Sequence, residues 1–472
     1  MKSKRRALLI VTIILLAALS ACDKGAPVEA AATPTPPPQT EPAPATPAAK
    51  KEPVARYTAD GKRIITIGTW YERYYVSKHT AIEDDPNLAF PETAQMRLER
   101  VREIEKKYNV VLEFVNLTFD GVQESISTSV PEGAPDVEIY EVDIQFGIPF
   151  VFSDYAVSLE EMGLSDTDVF TSQTVLKHLN LAGQKESYLF APSSTGAVNA
   201  YVLAFNMDMI NAAGLENPQD VYDRGEWTWE VFRQYLKVLT HDNNSDGSTE
   251  VYGFSGYWTH LLRNLLMSNG ATIAAGEQEG LSSPETMEVL TFIDELYNID
   301  KTARPWDASN WNINNELYAA GLSGFWVGSD WLFGEQGGAD LPFEIGVVPW
   351  PCGPSGNAET NKHSQPQSNW YFIPKGVEDP RFVYDVIYDW INWYDGDLSV
   401  GVDLKWSQNM YMTERNFEYA LMMDQNPGFD MWESLGVDFS VVPMIQGEMT
   451  PSALVEENKV LYQDALNNYF GE

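Results

Sequence analysis

The sequence predicts an α/β fold built from two lobes, and three observations carry this prediction. Strands and helices alternate from Arg63 to Asp143, which is typical of a parallel sheet with helices on its faces. The alternation starts again at Asn199 and returns after a long helical stretch, so the chain is expected to pass between the lobes more than once. Residues 57–472 are also numerous enough for two or three domains of ordinary size.

Residues 1–22 have the features of an export signal followed by a lipid anchor. Basic residues precede an apolar stretch from Ala7 to Leu19, which is shorter than the ~18 residues that span a bilayer. Leu19-Ser20-Ala21-Cys22 then resembles the bacterial lipobox, in which the cysteine thiol is diacylated and the leader is cut off just before it. An ordinary signal peptide that ends near a cysteine is the alternative. We expect a lipoprotein signal peptide at 1–21 and lipidation of Cys22.

A tether follows the anchor. Residues 22–56 are rich in Pro and Ala and contain almost no large apolar side chain, so they are predicted to be disordered. Beyond them, no apolar run reaches the ~18 residues that cross a membrane. Cys352 is the only other cysteine, and the mature chain is therefore expected to depend on a large core for its stability.

The charge balance limits the kind of partner. The chain has 68 acidic and 31 basic side chains, which give a net charge of −37. Such a surface repels nucleic acid and anionic lipid headgroups. We therefore expect no nucleic-acid partner, contact with the membrane through the lipid anchor only, and a ligand that is neutral or cationic.

Each element of the first part follows from its residues. Segments rich in β-branched residues and without helical spacing are predicted as strands, and segments with apolar residues three or four apart as helices. In chain order these are a strand at 63–70, a helix at 93–109, a strand at 110–117, a helix at 120–130 and a strand at 135–143.

The second part is predicted in the same way. Thr228 is placed to cap a helix whose apolar face runs from Val231 to Leu239, and a polar loop and a short strand at 251–254 follow it. The other elements are a strand at 199–206, a helix at 207–215, strands or strand–turn segments at 321–331, 343–351 and 368–376, and a helix at 379–395.

The loop HDNNSDGSTEVYGF, at 241–254, has the front half of an EF-hand pattern. Oxygen-bearing side chains alternate along it, which lets three of them converge on one point, and Gly247 permits a sharp turn. The twelfth position is Gly253 instead of glutamate, so the full motif is absent. A structural calcium ion and a metal-free turn are both open, and no other cofactor is expected. The candidate calcium ligands are Asp242, Asn244, Asp246, Ser248 and Glu250.

Five segments stand in the order found in a known protein family. They are PDVEIYEVD, QKESYLFAPSSTGAVNAYVLAFNMDMINAAGL, GEWTWEVF, FWVGSDW and WYFIPKG. With them the chain resembles, over residues 60–465, the family 1 extracellular solute-binding proteins of bacterial ABC importers, the group that includes maltose-binding protein. Extra aromatic residues and a longer loop at 71–92 depart from the family pattern, so the identity of the ligand is not carried over.

The resemblance implies a two-lobed, periplasmic-binding-protein-like fold with a hinge and an interlobe cleft that closes on the ligand. Residues 57–472 would form this solute-binding domain, with hinge crossings near 193–199 and 368–371. The first lobe would comprise 60–194 plus part of 370–400, and the second 195–368 plus 401–472.

Ligand-binding residues are carried over by position. Ligands of parallel sheets bind beyond the carboxyl ends of the strands, and sugars are held by flat aromatic rings together with polar side chains. The residues at such ends, in the family's Gly-Ser-Trp turn or, for the last one, near the predicted return crossing are Trp70, Tyr71, Tyr140, Asp143, Asp330, Trp331 and Trp370.

The resemblance implies a monomeric, lipid-anchored protein on the extracytoplasmic side of the cell membrane. It would capture a sugar or oligosaccharide and deliver it to the permease subunits of an ABC importer. A signalling lipoprotein on the same fold is the alternative. An anchored glycosidase with paired carboxylates is less favoured, because the sequence lacks the common catalytic motifs and its 5 histidines show no metal-ligand spacing. No enzymatic activity is expected.

Overall fold

A computed structural model describes residues 54–70, 81, 91–164, 176–179, 186–192, 200–310, 312–328, 341–364, 370–391 and 410–470. The predicted leader, the predicted anchor Cys22 and most of the predicted tether lie outside these residues, as do Tyr71, Asp330 and Trp331. Within the described ranges, no helix is long and apolar enough to cross a membrane.

The elements follow one another largely as the sequence predicts. The strands are β1 (Arg56–Tyr57), β2 (Arg63–Thr69), β3 (Val110–Asn116), β4 (Ile139–Val142), β5 (Leu176–Leu179), β6 (Leu189–Pro192), β7 (Val202–Asn206), β8 (Tyr252–Ser255), β9 (Ser323–Gly328), β10 (Ile345–Val348), β11 (His363–Ser364), β12 (Trp370–Phe372) and β13 (Pro427–Gly428). The helices are α1 (Pro91–Tyr108), α2 (Phe119–Ser129), α3 (Ile144–Phe152), α4 (Met207–Ala212), α5 (Pro218–Asp223), α6 (Trp229–Leu239), α7 (Trp258–Ser268), α8 (Pro284–Asp294), α9 (Ile313–Ala319), α10 (Pro380–Ile391), α11 (Glu414–Asp424), α12 (Val442–Ile445) and α13 (Pro451–Phe470).

The first sheet, which we call sheet A, has the strand order β1-β2-β4-β12-β6-β5, with β3 on the other side of β2. β2 pairs in parallel with β3 and with β4, so that Ile67 lies opposite Phe114 and Ile139. β12 pairs with β4 in the opposite direction, with Trp370 opposite Val142. The predicted parallel arrangement therefore holds for β2, β3 and β4. A later segment of the chain adds one antiparallel strand, β12, between β4 and β6.

Because β2, β3 and β4 are parallel, their carboxyl ends share one edge of sheet A, which we call the carboxyl edge. The chain leaves this edge at Trp70 after β2, at Leu117 after β3 and at Asp143 after β4. The predicted strand at 135–143 is shorter than expected and begins at Ile139. It ends at Val142, one residue before the predicted end, so Asp143 is the first residue beyond the edge.

The second sheet, sheet B, has the order β10-β7-β9-β8. β7 is antiparallel to both of its neighbours, and β8 is parallel to β9. Trp326 in β9 is fully buried, its ring stacks on Tyr318 at 5.0 Å, and its Nε1 donates to Asn315 Oδ1 at 2.9 Å. This tryptophan belongs to the core of sheet B.

α6 forms as predicted and packs against sheet B. The hydroxyl of Thr228 accepts a hydrogen bond from the backbone N–H of Val231 at 3.4 Å, which confirms the cap. Phe232, Leu236 and Leu239 are buried, and Val231 is half-buried. The amphipathic spacing was sufficient to place this helix.

The chain leaves sheet A after β6, enters sheet B at β7 and returns to sheet A at β12. Residues 193–199, where the first hinge crossing is predicted, lie outside the described part. Of the predicted return crossing at 368–371, Trp370 and Tyr371 are described, and both pair with β4. The hinge positions and lobe limits stay predictions.

Candidate functional site

Three aromatic rings meet at the carboxyl edge of sheet A. Trp70 follows β2, Phe119 begins α2 after β3, and Phe146 lies in the first turn of α3 after β4. The ring centroids of Phe119 and Phe146 are 5.4 Å apart, and that of Trp70 lies 5.8 Å from Phe119 and 6.4 Å from Phe146. All three pairs have T-shaped geometry. We call these residues the aromatic triad.

Asp143 supplies a carboxylate next to the triad. It caps α3, and its Oδ1 accepts a hydrogen bond from the backbone N–H of Gln145 at 2.8 Å. Burial raises the pKa of Asp143 to about 6, and the charge of Glu433 adds to the rise, although the Gln145 N–H and the charge of Arg263 act in the opposite direction. At neutral pH the group is mostly ionised and carries an acceptor oxygen.

Arg263 on α7 forms a buried ion pair with Glu433, and the two side chains are 6% and 10% exposed. Arg263 Nε donates to Glu433 Oε2 at 2.6 Å, and Nη1 donates to the hydroxyl of Tyr201 at 3.5 Å. Burial raises the pKa of Tyr201 to about 12, so this hydroxyl stays protonated. Glu433 thus balances the charge of Arg263, and Asp143 adds a further negative charge.

Two contacts connect the ion pair with the start of α3. Gln145 Nε2 donates to Glu433 Oε1 at 3.4 Å, and Ser434 Oγ donates to the carbonyl of Ile144 at 3.2 Å. The carboxyl edge of sheet A and the segment that carries Glu433 therefore lie against each other.

The segment that carries Glu433 is hydrogen-bonded to residues that follow α7, the helix after strand β8 of sheet B. The carboxylate of Asp430 accepts hydrogen bonds from the backbone N–H groups of Ile273 at 2.6 Å and Ala274 at 2.8 Å. Tyr462 on α13 donates to the carbonyl of Trp432 at 3.0 Å. Glu433 is consequently held in a well-packed position between these anchors.

Further rings surround Tyr201. The imidazole of His260 stacks on Tyr201 with centroids 4.2 Å apart, and Tyr257 lies 5.0 Å from His260 and 6.0 Å from Trp306. Burial lowers the pKa of His260 well below its usual value, and the charge of Arg263 lowers it further, so the imidazole is neutral. Its buried Nδ1 has no hydrogen-bond partner among the described residues.

The structure separates the predicted residues of sheet A into two groups. Trp70 and Asp143 lie at the carboxyl edge, half-buried. Tyr140 is fully buried, and its hydroxyl lies 2.8 Å from Ser125 Oγ and 3.2 Å from Ser129 Oγ on α2. Trp370 is 3% exposed. Tyr140 and Trp370 therefore lie in the core, within their strands rather than beyond the ends.

The loop predicted to bind calcium brings its carboxylates together. One oxygen each of Asp242, Asp246 and Glu250 lies within 4.8 Å of the others. Asp242 Oδ2 accepts from the backbone N–H of Gly247 at 2.8 Å, and Oδ1 accepts from that of Asn244 at 3.1 Å. These bonds, the one from Gly247 first, lower the pKa of Asp242. The oxygens are hard ligands of the type that calcium prefers.

The same loop is closed by its own hydrogen bonds. Asn244 Oδ1 accepts from the backbone N–H of Asp246 at 2.8 Å, and Asp246 Oδ1 accepts from that of Ser248 at 2.8 Å. Glu250 Oε1 accepts from Asn244 Nδ2 at 2.6 Å. All five predicted ligands thus belong to one turn, and both the calcium interpretation and the metal-free interpretation stay open.

A profile of the family described as bacterial extracellular solute-binding protein matches residues 91–395, which is more than half of the chain. The chain belongs to this family. No curated protein matches this solute-binding protein. The family and the structural neighbours are binding proteins and not enzymes.

Solved structures have the same fold as this solute-binding protein. The ABC substrate-binding protein Lmo0181 from Listeria monocytogenes, in complex with cycloalternan, is 17% identical with a TM-score of 0.59, and the match covers 86% of this chain and 99% of that chain. UgpB from Mycobacterium tuberculosis, in complex with glycerophosphocholine, is 12% identical with a TM-score of 0.59 over 87% of this chain and 100% of that chain. MalE from Bdellovibrio bacteriovorus, bound to maltotriose, is 13% identical with a TM-score of 0.55 over 87% and 100%. The two-lobed, periplasmic-binding-protein-like fold class is confirmed.

Sequence reasoning missed several residues of this solute-binding protein that lie at the same place. Two of them could have been predicted from the rule that ligands bind beyond the carboxyl ends of strands, which we call the strand-end rule. Phe119 follows β3, and Tyr257 follows β8. Arg263 and Glu433 are 170 positions apart, and nothing local links them. The missed residues are Phe119, Phe146, Tyr201, Tyr257, His260, Arg263, Trp306 and Glu433.

Proposed function

We propose that this chain captures a sugar or oligosaccharide between its two lobes and delivers it to an ABC importer. The observation that carries the proposal is the combination, at the carboxyl edge, of the aromatic triad with Asp143 and the Arg263–Glu433 pair. Aromatic rings suit the apolar CH faces of a sugar, and carboxylate and guanidinium groups suit its hydroxyl rim.

The structural neighbours give this proposal a chemical precedent. Lmo0181 was solved with cycloalternan and MalE with maltotriose, both oligosaccharides, whereas UgpB was solved with glycerophosphocholine. The negative charge of the present chain and the unbalanced carboxylate of Asp143 favour a ligand without negative charge. We propose no enzymatic activity, in keeping with the family.

The remaining parts of the proposal concern the placement of the protein. Lipidation of Cys22, with the tether at 22–56, would hold a monomeric binding domain outside the cytoplasm and within reach of the permease subunits. The lobes would comprise 60–194 plus part of 370–400, and 195–368 plus 401–472. Tyr71, Asp330 and Trp331 are proposed as further ligand contacts from the resemblance alone.

Closure on the ligand provides the test of this function. A ligand shifts the equilibrium between open and closed lobes only if it contacts both of them. We expect a thermal-shift screen of neutral, amino and acidic oligosaccharides to find a stabilising ligand, and small-angle scattering to give a smaller radius of gyration in its presence. A chain that no oligosaccharide stabilises contradicts the sugar proposal. An unchanged radius with a bound sugar contradicts closure.

We also propose that the turn at 242–250 holds a structural calcium ion away from the ligand site. The support is the convergence of the Asp242, Asp246 and Glu250 oxygens. Calcium bound there would hold the end of α6 and the start of β8 together, because the loop joins these two elements. Binding to the folded state alone raises stability by mass action.

A chelator is therefore expected to lower the melting temperature of the wild-type protein and to leave the double variant Asp242→Asn/Asp246→Asn unaffected. Asparagine removes the two charges and keeps one acceptor oxygen per side chain, which is enough for the Ser248 N–H at position 246 but loses the bonds of one oxygen at position 242. The variant can therefore melt lower than the wild type, and the readout is its response to chelator and not its melting temperature alone. Asp307→Asn is the matched control, since Asp307 Oδ1 accepts from the Ser309 N–H at 2.9 Å in a similar turn. If neither calcium nor chelator changes the melting curve of the wild type, the loop is an ordinary metal-free turn and the calcium proposal is wrong.

A further inference from the structure

Phe119 is an exposed aromatic side chain at the carboxyl edge of sheet A. It is 46% exposed, and among the Phe, Tyr and Trp side chains of the described residues only Tyr57, at 57%, is comparably exposed. Tyr57 lies in β1 opposite Arg63, at the amino end of β2 and so at the other edge of sheet A. Exposure of a large apolar ring to water is unfavourable. The exposed position of Phe119 beside Trp70 therefore indicates a binding role.

The ring is held from one side. Its T-shaped contacts with Trp70, at 5.8 Å, and with Phe146, at 5.4 Å, fix its position and leave nearly half of its surface uncovered. Such edge-to-face pairs are favourable because the ring edge is positive and the ring face is negative. The exposed surface is therefore part of a rigid, preorganised arrangement.

The backbone before Phe119 is in an unfavourable conformation. Thr118 has a φ of 66°, a value that β-branched residues rarely adopt. Two local hydrogen bonds hold it there, since Thr118 N–H donates to Asn116 Oδ1 at 3.0 Å and its hydroxyl accepts from the Gly121 N–H at 3.3 Å. Strained backbone of this kind is concentrated at functional sites. Here the bend between β3 and α2 is what presents Phe119 at the edge.

We propose that Phe119 is a ligand-stacking residue, that Thr118 positions it, and that the part of the ligand bound at this edge is a closed sugar ring rather than an open-chain polyol. This inference rests on the function proposed above. A pyranose ring presents several CH groups on one flat face, which matches an aromatic face, whereas an open-chain polyol has no persistent flat face. Trp70 then supports Phe119 from the side in addition to any contact of its own.

The test compares variants of Phe119 in the full chain by calorimetry, with maltotriose, cellotriose, xylotriose and mannotriose as ring-containing probes and sorbitol and mannitol as open-chain probes. Phe119→Leu keeps an apolar side chain but removes the aromatic face. We expect it to weaken the best trisaccharide by about 3- to 10-fold and Phe119→Trp to retain or improve binding. The melting temperature without ligand should fall only slightly, because nearly half of the ring is exposed and leucine still packs against Trp70 and Phe146. Tyr57→Leu is the matched control and should bind as the wild type does.

Thr118→Gly tests the positioning role. Glycine adopts a positive φ without strain and costs little at a helix cap, so the melting temperature should not fall. Its freer backbone should nevertheless weaken binding and speed dissociation of the same trisaccharide.

Three results would overturn the inference. If Phe119→Leu binds the trisaccharide as tightly as the wild type, Phe119 is not a contact, and the proposed sugar-binding function is unaffected. If sorbitol or mannitol binds more tightly than every trisaccharide, the ring requirement is wrong. If the wild type binds none of these probes and no glycan of the broader screen, the proposed function fails, and this inference fails with it.

Discussion

Replacing Arg263 with alanine is expected to lower the free energy of unfolding by about 3–5 kcal/mol and to abolish ligand-induced stabilisation. The substitution leaves the Glu433 carboxylate in a site where it is only 10% exposed, without the guanidinium that donates to it at 2.6 Å. An uncompensated buried charge is much more costly than the loss of an exposed ion pair. Chemical denaturation and a thermal-shift titration measure the two effects.

Two further variants make this result specific. Arg224→Ala removes an arginine that pairs with Glu216 and Glu226 on the surface and should leave stability almost unchanged. The double variant Arg263→Met/Glu433→Leu removes both charges and should recover most of the stability that Arg263→Ala loses, without recovering ligand binding. A stability of Arg263→Ala close to that of Arg224→Ala would show that the pair is neither buried nor structurally important.

The parts of the fold that the sequence predicted well are those that depend on local pattern. The capping hydroxyl of Thr228 and the apolar spacing of α6 are contained within 12 neighbouring residues, and the structure reproduces both. The parallel order of β2, β3 and β4 follows from the alternation of strands with helices, because a helical crossover returns the chain in the same direction. The carboxyl edge, and with it Trp70 and Asp143, was therefore predictable.

Prediction from the sequence failed for features that depend on which side of a strand a residue faces, or on contacts between segments far apart in the chain. Tyr140 lies in β4 with its hydroxyl against Ser125 and Ser129, and the sequence alone did not reveal that the strand turns this ring towards α2. The antiparallel insertion of β12 next to β4 joins segments more than 200 positions apart in the chain. The Arg263–Glu433 pair likewise arises only when α7 and the segment after α11 come together.

The site also shows why abundant carboxylates carry little information in so acidic a chain. Asp143 and Glu433 matter because burial and packing place them beside one buried guanidinium, and no spacing motif marks either residue. Phe119 could have been found, because it follows a strand end as Trp70 does. The strand-end rule is thus more useful here than residue type.

Lowering the pH through about 6 is expected to weaken sugar binding by the wild-type protein, and Asp143→Asn is expected to bind weakly at every pH. An ionised carboxylate accepts hydrogen bonds from ligand hydroxyls more strongly than its protonated form or an amide does. A hydrogen bond to a charged group contributes ~1.5–3 kcal/mol, which corresponds to a loss of about 10- to 100-fold in affinity. Calorimetry from about pH 5 to pH 8 measures the affinity at each pH. The control variant Asp60→Asn, at an exposed position, should show the same pH dependence as the wild type.

Asp143→Asn should weaken ligand binding without lowering the stability of the folded protein. Burial raises the pKa of Asp143 from 3.8 to about 6, so the folded protein binds this proton more tightly than the unfolded chain does. Its contribution to the free energy of unfolding is therefore greatest below pH 3.8 and falls as the pH rises through about 6. Asparagine keeps the cap on the Gln145 N–H but has no charge to bury, so Asp143→Asn should melt at the same or a higher temperature than the wild type at neutral pH. Weaker binding together with undiminished stability identifies a carboxylate kept for the ligand. A loss of both would instead make Asp143 a structural cap.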